Sequence, residues 1–349
     1  MKLRYAILEE DYPDGLTPFS LTRPSSMLVY RYRRISDWLR EALGEPEGFV
    51  APERFFYFGL RQPSDYDLLV SSMVRPEMVR EAVDEVRDGE SLWERGHLVV
   101  SRGPPERTER REARGTYLIR GPWELTKSLR DPPFDSSRIE GEIGRFVSIV
   151  ERDGPVIIER GAVVEDFTVI KGPAFISQGS RVYNAQISGS YVGRWCRVSG
   201  EVERSVIDDY AHKAHFGFVG DSYVGIHANL GAGTTTSNLK NTYGTVRVMM
   251  GKALVDTGEI KVGAFIGDFA RTSINTSIMS GKMIGAFSYA GGTVSSDVEP
   301  FMFYDRRMNL DRLIEQLGRY MERRNIPLDE GLLIYVRSTY ERFLKSLRS

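Results

Sequence analysis

Ile158, Val164, Ile170, Ile176 and Val182 stand six residues apart without a break, an interval that fits neither a helix nor a lone strand. Six is the period of a β-helix built from hexapeptide units, each a short strand and a turn, whose aliphatic residue points into a narrow core above its equivalent one coil down. A second train runs Ile260, Ile266, Thr272, Ile278, Ile284 and closes on Ala290, with shorter pieces at Val192 and Val198 and at Val224 and Leu230. Gly193, Gly225, Gly231, Gly267 and Gly285 directly follow the aliphatic position, where a bulky side chain would crowd the turn. A sandwich of short strands between Gly-rich turns is the alternative, but its strands do not keep a fixed step.

The hexads predict a β-helix over residues 138–300, entered through a linker at Asp131-Pro132-Pro133-Phe134-Asp135. Between Gly233 and Gly258 the hexad fails, and the polar run TTTSNLKNTYG predicts a loop thrown out of the coil. Residues 1–130 mix strand and helix signals: Leu3, Tyr5 and Ile7 alternate, Ile35, Trp38, Leu39 and Leu43 share a helix face ended by Gly44, and Pro76 opens a second helix. We expect a small α/β domain there. Residues 301–349 predict two amphipathic helices, one on Leu310, Leu313, Ile314, Leu317 and Met321, the other on Leu333, Val336, Tyr340, Phe343 and Leu347, docked on the scaffold or on a neighbouring subunit.

Charge narrows the function. With 47 basic against 48 acidic side chains the net charge is -1, so neither nucleic acid nor an anionic membrane is an expected partner. Glu9, Glu10 and Asp11 interrupt the apolar run at the amino end, which fits neither a signal peptide nor an anchor, so a cytoplasmic location is expected. The single cysteine, Cys196, is expected to be a small buried residue. Three of the four histidines, His212, His215 and His227, fall in one window, but without a partnering carboxylate cluster no metal site is expected.

That window reads HKAHFGFVGDSYVG over 212–225 and NLGAGTTTSNLKN over 229–241. It resembles the acyltransferase half of the bifunctional enzyme that acetylates glucosamine-1-phosphate and then uridylylates it, and more closely a GlmU-like group of sugar nucleotidyltransferases. Thr272-Ser273-Ile274-Asn275-Thr276 and the amino-terminal string from Leu16 to Pro24 are similar to strings of that group. The resemblance implies a left-handed parallel β-helix assembled as a homotrimer with active sites between subunits, preceded by a shortened α/β nucleotidyltransferase-like domain, and it implies acetyl-CoA or another acyl-CoA as cofactor.

By the same resemblance His215 is the general base, Asn229 and Asn238 bind the sugar or orient the base, and Ala286 contacts the coenzyme through its main chain. Asp221 braces its turn. Lys240 and Arg271 are candidates for phosphate or pantetheine contacts. A histidine suits the task, because an amine attacking a thioester must be unprotonated.

Departures sharpen the expectation. Glu203 stands where the acetyltransferase has a lysine that grips sugar phosphate, Phe218 replaces a tyrosine, and Asp268 replaces a serine on the coenzyme side. After Leu8 the chain gives Glu9-Glu10-Asp11-Tyr12-Pro13-Asp14-Gly15, an acidic loop where a nucleotidyltransferase needs glycines and a basic residue around a triphosphate. Arg23 is a nucleotide contact or a structural arginine beside Pro24. The leading expectation is an acyl-CoA-dependent transferase acting on a sugar phosphate or sugar nucleotide. A sugar-1-phosphate nucleotidyltransferase, with Mg2+ only if the first domain is active, and a non-catalytic trimeric sugar-nucleotide-binding scaffold are the alternatives.

Overall fold

A computed structural model describes residues 4–10 and 16–348. The acidic stretch from Asp11 to Gly15 lies outside the described residues.

The hexads stack as expected. Strands of two to eight residues pair in parallel around three faces. On the first face Ile139, Ile158, Ile176, Val192, Ile207, Val224, Ile266 and Ile284 lie one above another. The second carries Ile143, Val164, Val182 and Val198, and the third Ile149, Ile170, Ile187, Val202 and Val219. From Ile158 upward these side chains are buried in one continuous core. The hexads thus form a parallel β-helix, in which each coil gains its stability from the coils on either side.

Three expectations are corrected. Ile260, counted into the second train, is 52% exposed and lies outside the stack. Thr236 pairs in register with Ile278, so the third face continues through the polar run and the coil opens only after Asn238, whose carbonyl accepts from the Val262 N–H at 2.9 Å. The excursion between them is no free loop. It carries an antiparallel hairpin, Arg247–Met250 against Ala253–Asp256, buries Val246 and Val248 against the amino-terminal core, and pairs Glu259 with Lys127 and Arg130.

One corner of the β-helix is a column of rings. Tyr210, His227, Phe269, Phe287 and Phe301 occupy the same turn position in successive coils, all left-handed with φ between 57 and 62°. Their centroids are 4.8, 4.7, 4.7 and 5.4 Å apart and nearly parallel. Left-handed backbone at a residue with a Cβ costs roughly 1–2 kcal/mol, and stacking of about 0.5–1.5 kcal/mol per pair offsets it.

The amino-terminal sheet has six strands: β1 (Tyr5–Leu8), β2 (Gly48–Val50), β3 (Leu68–Ser71), β4 (Glu90–Glu94), β5 (His97–Ser101) and β6 (Glu109–Glu112), in the order β2-β1-β3-β5-β4-β6. Tyr5, Ala6 and Ile7 are all buried, because both faces of β1 are covered, so the apparent alternation marks no solvent face. Helix α1 (Ile35–Leu43) ends at Gly44 with φ 93°, and Pro76 opens a single turn leading into α2 (Val79–Glu85). A short α3 (Pro122–Lys127) precedes the linker, where Phe134 packs edge-on to Tyr32 and against Phe175.

At the far end α4 (Leu310–Arg323) and α5 (Glu330–Ser346) dock on the ring column, with Tyr320 edge-on to His227 and Tyr340 edge-on to Phe301. The buried stripe of α5 is Leu332, Tyr335, Val336, Thr339 and Phe343. Leu347, expected in that stripe, is exposed. No helix among the described residues is long and apolar enough to cross a membrane.

Arg23 resolves as structural. It is wholly buried between the amino-terminal segment and the β-helix, 2.7 Å from Asp208 and 3.2 Å from Asp268. Thr22 donates to the same Asp268 at 2.7 Å.

Candidate functional site

His215 stands on the edge between two faces. His212–Lys213 pairs on the second face, Phe218–Gly220 pairs on the third, and the turn from Ala214 to Gly217 joins them. Gly217 is needed here: its φ is 126°, and a Cβ would fall 2.2 Å from the Thr234 carbonyl. Lys213 holds the turn from inside. It sits in register with Val198 at a core position, 2% exposed, and its ammonium donates to the carbonyls of Ser199 (2.6 Å) and His215 (3.1 Å). Burial pulls this amine down to about 8. The backbone of His215 is thus anchored while its ring is exposed, with no hydrogen-bond partner among the described residues. Such an imidazole is free to take a proton from a bound nucleophile.

On the third-face side of that edge runs an open groove of about 660 Å³, lined by Phe167, Val169, Asn184, Gln186, Glu201 and Phe218. Beyond it lies a second depression of about 540 Å³ bordered by Lys171, Ser188, Glu203 and Arg204. Arg204 pairs with Glu203 and grips Asp221 with two hydrogen bonds, 2.7 and 2.9 Å, and Asn238 donates to the same carboxylate at 2.7 Å. The amide of Asn238 is therefore engaged at the far edge of the third face, and Glu203 is neutralised by its neighbour.

On the second-face side, Asn229 sits outward in register between His212 and Arg271. The Arg271 guanidinium lies 4.3 Å over the Tyr320 ring. Asn229 and Arg271 thus share a surface with the His215 edge, whereas Asn238 lies across the groove from it. Lys240 belongs to the excursion, where its ammonium donates to the Thr245 carbonyl. Ala286 is wholly buried at the corner of the ring column, and its carbonyl accepts from Phe301 N at 2.9 Å, so within one chain it does not meet His215. Asp268 is committed inward to Arg23 and Thr22.

The three clustered histidines point to three different places. His227 is stacked in the ring column, and burial, reinforced by Arg324 and Arg271, pushes it down to about 3. His212 accepts from Arg324 at 2.7 Å, and burial with Arg324, Arg197 and Arg271 pushes it down to about 3 as well. Cys196 is buried and its thiol donates to the Asp208 carbonyl at 3.0 Å. Sequence reasoning passed over Lys213 as a core residue, because the coil from Val198 to Lys213 does not keep the step of six. It also passed over Arg324, whose helix reaches the second face only through tertiary packing.

No protein-family model matches the chain. A bifunctional sugar-1-phosphate nucleotidylyltransferase/acetyltransferase of Sulfurisphaera tokodaii is 31% identical over 227 residues, covering 60% of this chain and 55% of its own length. The bifunctional protein GlmU of Methanococcus maripaludis is 35% identical over 185 residues, covering 50% of this chain and 43% of its own. The chain is related to these bifunctional enzymes. It spans about half the length of the curated relatives it matches. Among solved structures, a UDP-N-acetylglucosamine acyltransferase of Francisella novicida aligns with 57% of this chain and 73% of its own at 15% identity, with a TM-score of 0.30.

Proposed function

We propose that the chain is an acyl-CoA-dependent acyltransferase, with acetyl as the acyl group and a sugar phosphate or sugar nucleotide as acceptor, and that His215 is its general base. The carrying observation is the exposed, unpartnered imidazole on an anchored turn beside an open groove. An acceptor amine or hydroxyl gives its proton to His215 as it attacks the thioester carbonyl, and the coenzyme leaves as a thiol carrying a proton returned from the imidazolium. The names of the related enzymes support the same chemistry.

The reading includes a homotrimer with sites between subunits. Its support is an apolar edge on the corner that carries His215, where Phe146, Phe167, Phe216 and Ile274 are 56, 70, 68 and 69% exposed. Large apolar side chains gathered on one edge suit contact with another copy. Asn238, Lys240 and Ala286, which do not reach His215 in one chain, would then serve a neighbour's site.

Nucleotidyl transfer is not part of the proposal. At the end of β1, Glu9 is buried and accepts from Ser25 N (2.8 Å), Ser26 N and Ser72 Oγ (2.9 Å), so backbone N–H groups that could cradle a phosphate are spent on a carboxylate.

The test is release of CoA from acetyl-CoA with a panel of amino sugars and their phosphates and nucleotides. His215→Ala is expected to lower kcat/KM by about a hundredfold or more with an unchanged melting temperature. Equal rates in the two proteins would remove the base assignment.

A further inference from the structure

We propose that the outer surface of the second face, from Arg197 to Arg271 and closed by Arg324 at the end of α4, is a binding site for a phosphoryl group of the diphosphate class.

Arg197, His212, Asn229 and Arg271 occupy the same outward position in four successive coils. Neighbouring strands are about 4.8 Å apart, so this row extends over roughly 14 Å. Arg324 enters from the side. Its Nη1 donates to His212 Nε2 at 2.7 Å and to the Tyr210 carbonyl at 3.1 Å. A guanidinium can only donate, so Nε2 must be the acceptor and the His212 ring is neutral, with its proton on Nδ1 as a further donor. The Tyr320 ring fixes the remaining geometry, with Arg271 at 4.3 Å and Arg324 at 4.7 Å from its centroid.

The row lacks a counter-charge. Among the described residues no carboxylate pairs with Arg197, Arg271 or Arg324, and the charged groups that face His212 are these three arginines alone. Three other arginines of the β-helix are, by contrast, matched: Arg181 with Glu165, Arg194 with Asp209, Arg204 with Asp221. Like charges held near one another repel, and a bound anion turns that repulsion into attraction. Guanidinium forks match phosphate oxygens in shape, and a row longer than one phosphate suits two linked ones. His212, within the row, is three residues from His215, at most about 10 Å of chain, so an anchored diphosphate would hold the rest of its molecule near that edge. The site stands whether or not His215 is a base.

The experiment is calorimetric titration of the full chain with inorganic pyrophosphate at low ionic strength, repeated with Arg197→Gln and Arg271→Gln. Each variant is expected to weaken binding tenfold or more. Arg138→Gln, on an exposed arginine of the first coil, is expected to leave it unchanged. Arg197 is exposed and its replacement should not disturb folding, which keeps the test open even if an Arg324 variant fails to fold. Coenzyme A and a nucleoside diphosphate sugar, both of which carry a diphosphate, are then used as competitors, and displacement by either supports the site and identifies its source. No pyrophosphate binding by the parent protein, equal affinity in parent and both arginine variants, or failure of both competitors would overturn it. Binding is read without turnover, so its loss and the loss of acyl transfer in His215→Ala are separate results.

Discussion

Arg23 and Asp208, 185 positions apart in sequence, meet at 2.7 Å with neither side chain touching solvent. Burial works against the charge on Asp208, but Arg34 and Arg23 overrule it and hold the carboxyl below its usual range. Arg34 closes on the same carboxylate at 2.8 Å, and Tyr223 donates to it at 2.8 Å. Asp268, facing Arg23 from another coil, is pushed up by burial and held in check by that arginine. The segment between β1 and α1 is thus fastened to the β-helix by charges that cannot be left single.

Removing the shared cation should therefore cost more than removing a surface pair. Arg23→Met leaves two buried carboxyls short of a partner and is expected to lose about 3–5 kcal/mol in urea denaturation. A loss under about 1 kcal/mol would show that the two carboxyls find protons or water instead.

Lys213 makes the opposite case. Its folded amine sits at about 8 against an ordinary 10.5, so between those values the unfolded chain binds more protons and stability rises with pH. Lys213→Met fits the stack and removes that dependence, so stability at pH 7 is expected to hold or rise, while acyl transfer falls about tenfold as the His215 turn loses its anchor. A variant with full activity would sever Lys213 from the positioning of the base.

Acid sensitivity should trace in part to the ring column, with His212, pushed down to about 3 as well, as a second source. His227 is neutral when folded down to about 3, whereas in the unfolded chain it takes a proton near 6.5. The unfolded state binds more protons between those values, so stability falls as pH drops through that window, on the order of 1–2 kcal/mol from this ring by pH 5. Glu9, raised to about 7 by burial, acts in the other direction between 4.5 and 7. His227→Phe keeps the stack, so its melting temperature is expected to decline less between pH 7 and 5 than the parent's. Parallel declines would show that His227 contributes nothing to the acid sensitivity.

The apolar edge predicts assembly. Light scattering is expected to give three chain masses for the parent, and Phe167→Asp is expected to shift the population toward single chains with an intact circular dichroism spectrum. A single-chain mass for the parent would leave Asn238, Lys240 and Ala286 without a role at the His215 edge.

The β-helix is legible in the order of residues alone, because a stack of coils is held by nearest neighbours and its inward position recurs at a fixed short step. Ile158, Val164 and Ile170 announce it before any contact is known. Where coils shorten, as at Val198 to Lys213, or open, as after Asn238, the step is lost, and a lysine in the core or an excursion folded onto another sheet leaves no local mark. The HKAH window likewise marked out His215, but not its setting. That Asp268 turns inward to Arg23, that Asn238 is spent on Asp221, and that Arg324 completes an uncompensated row with Arg197 and Arg271 are facts of packing. They depend on where distant segments meet and on which charges find partners there, and no local pattern in the chain records that.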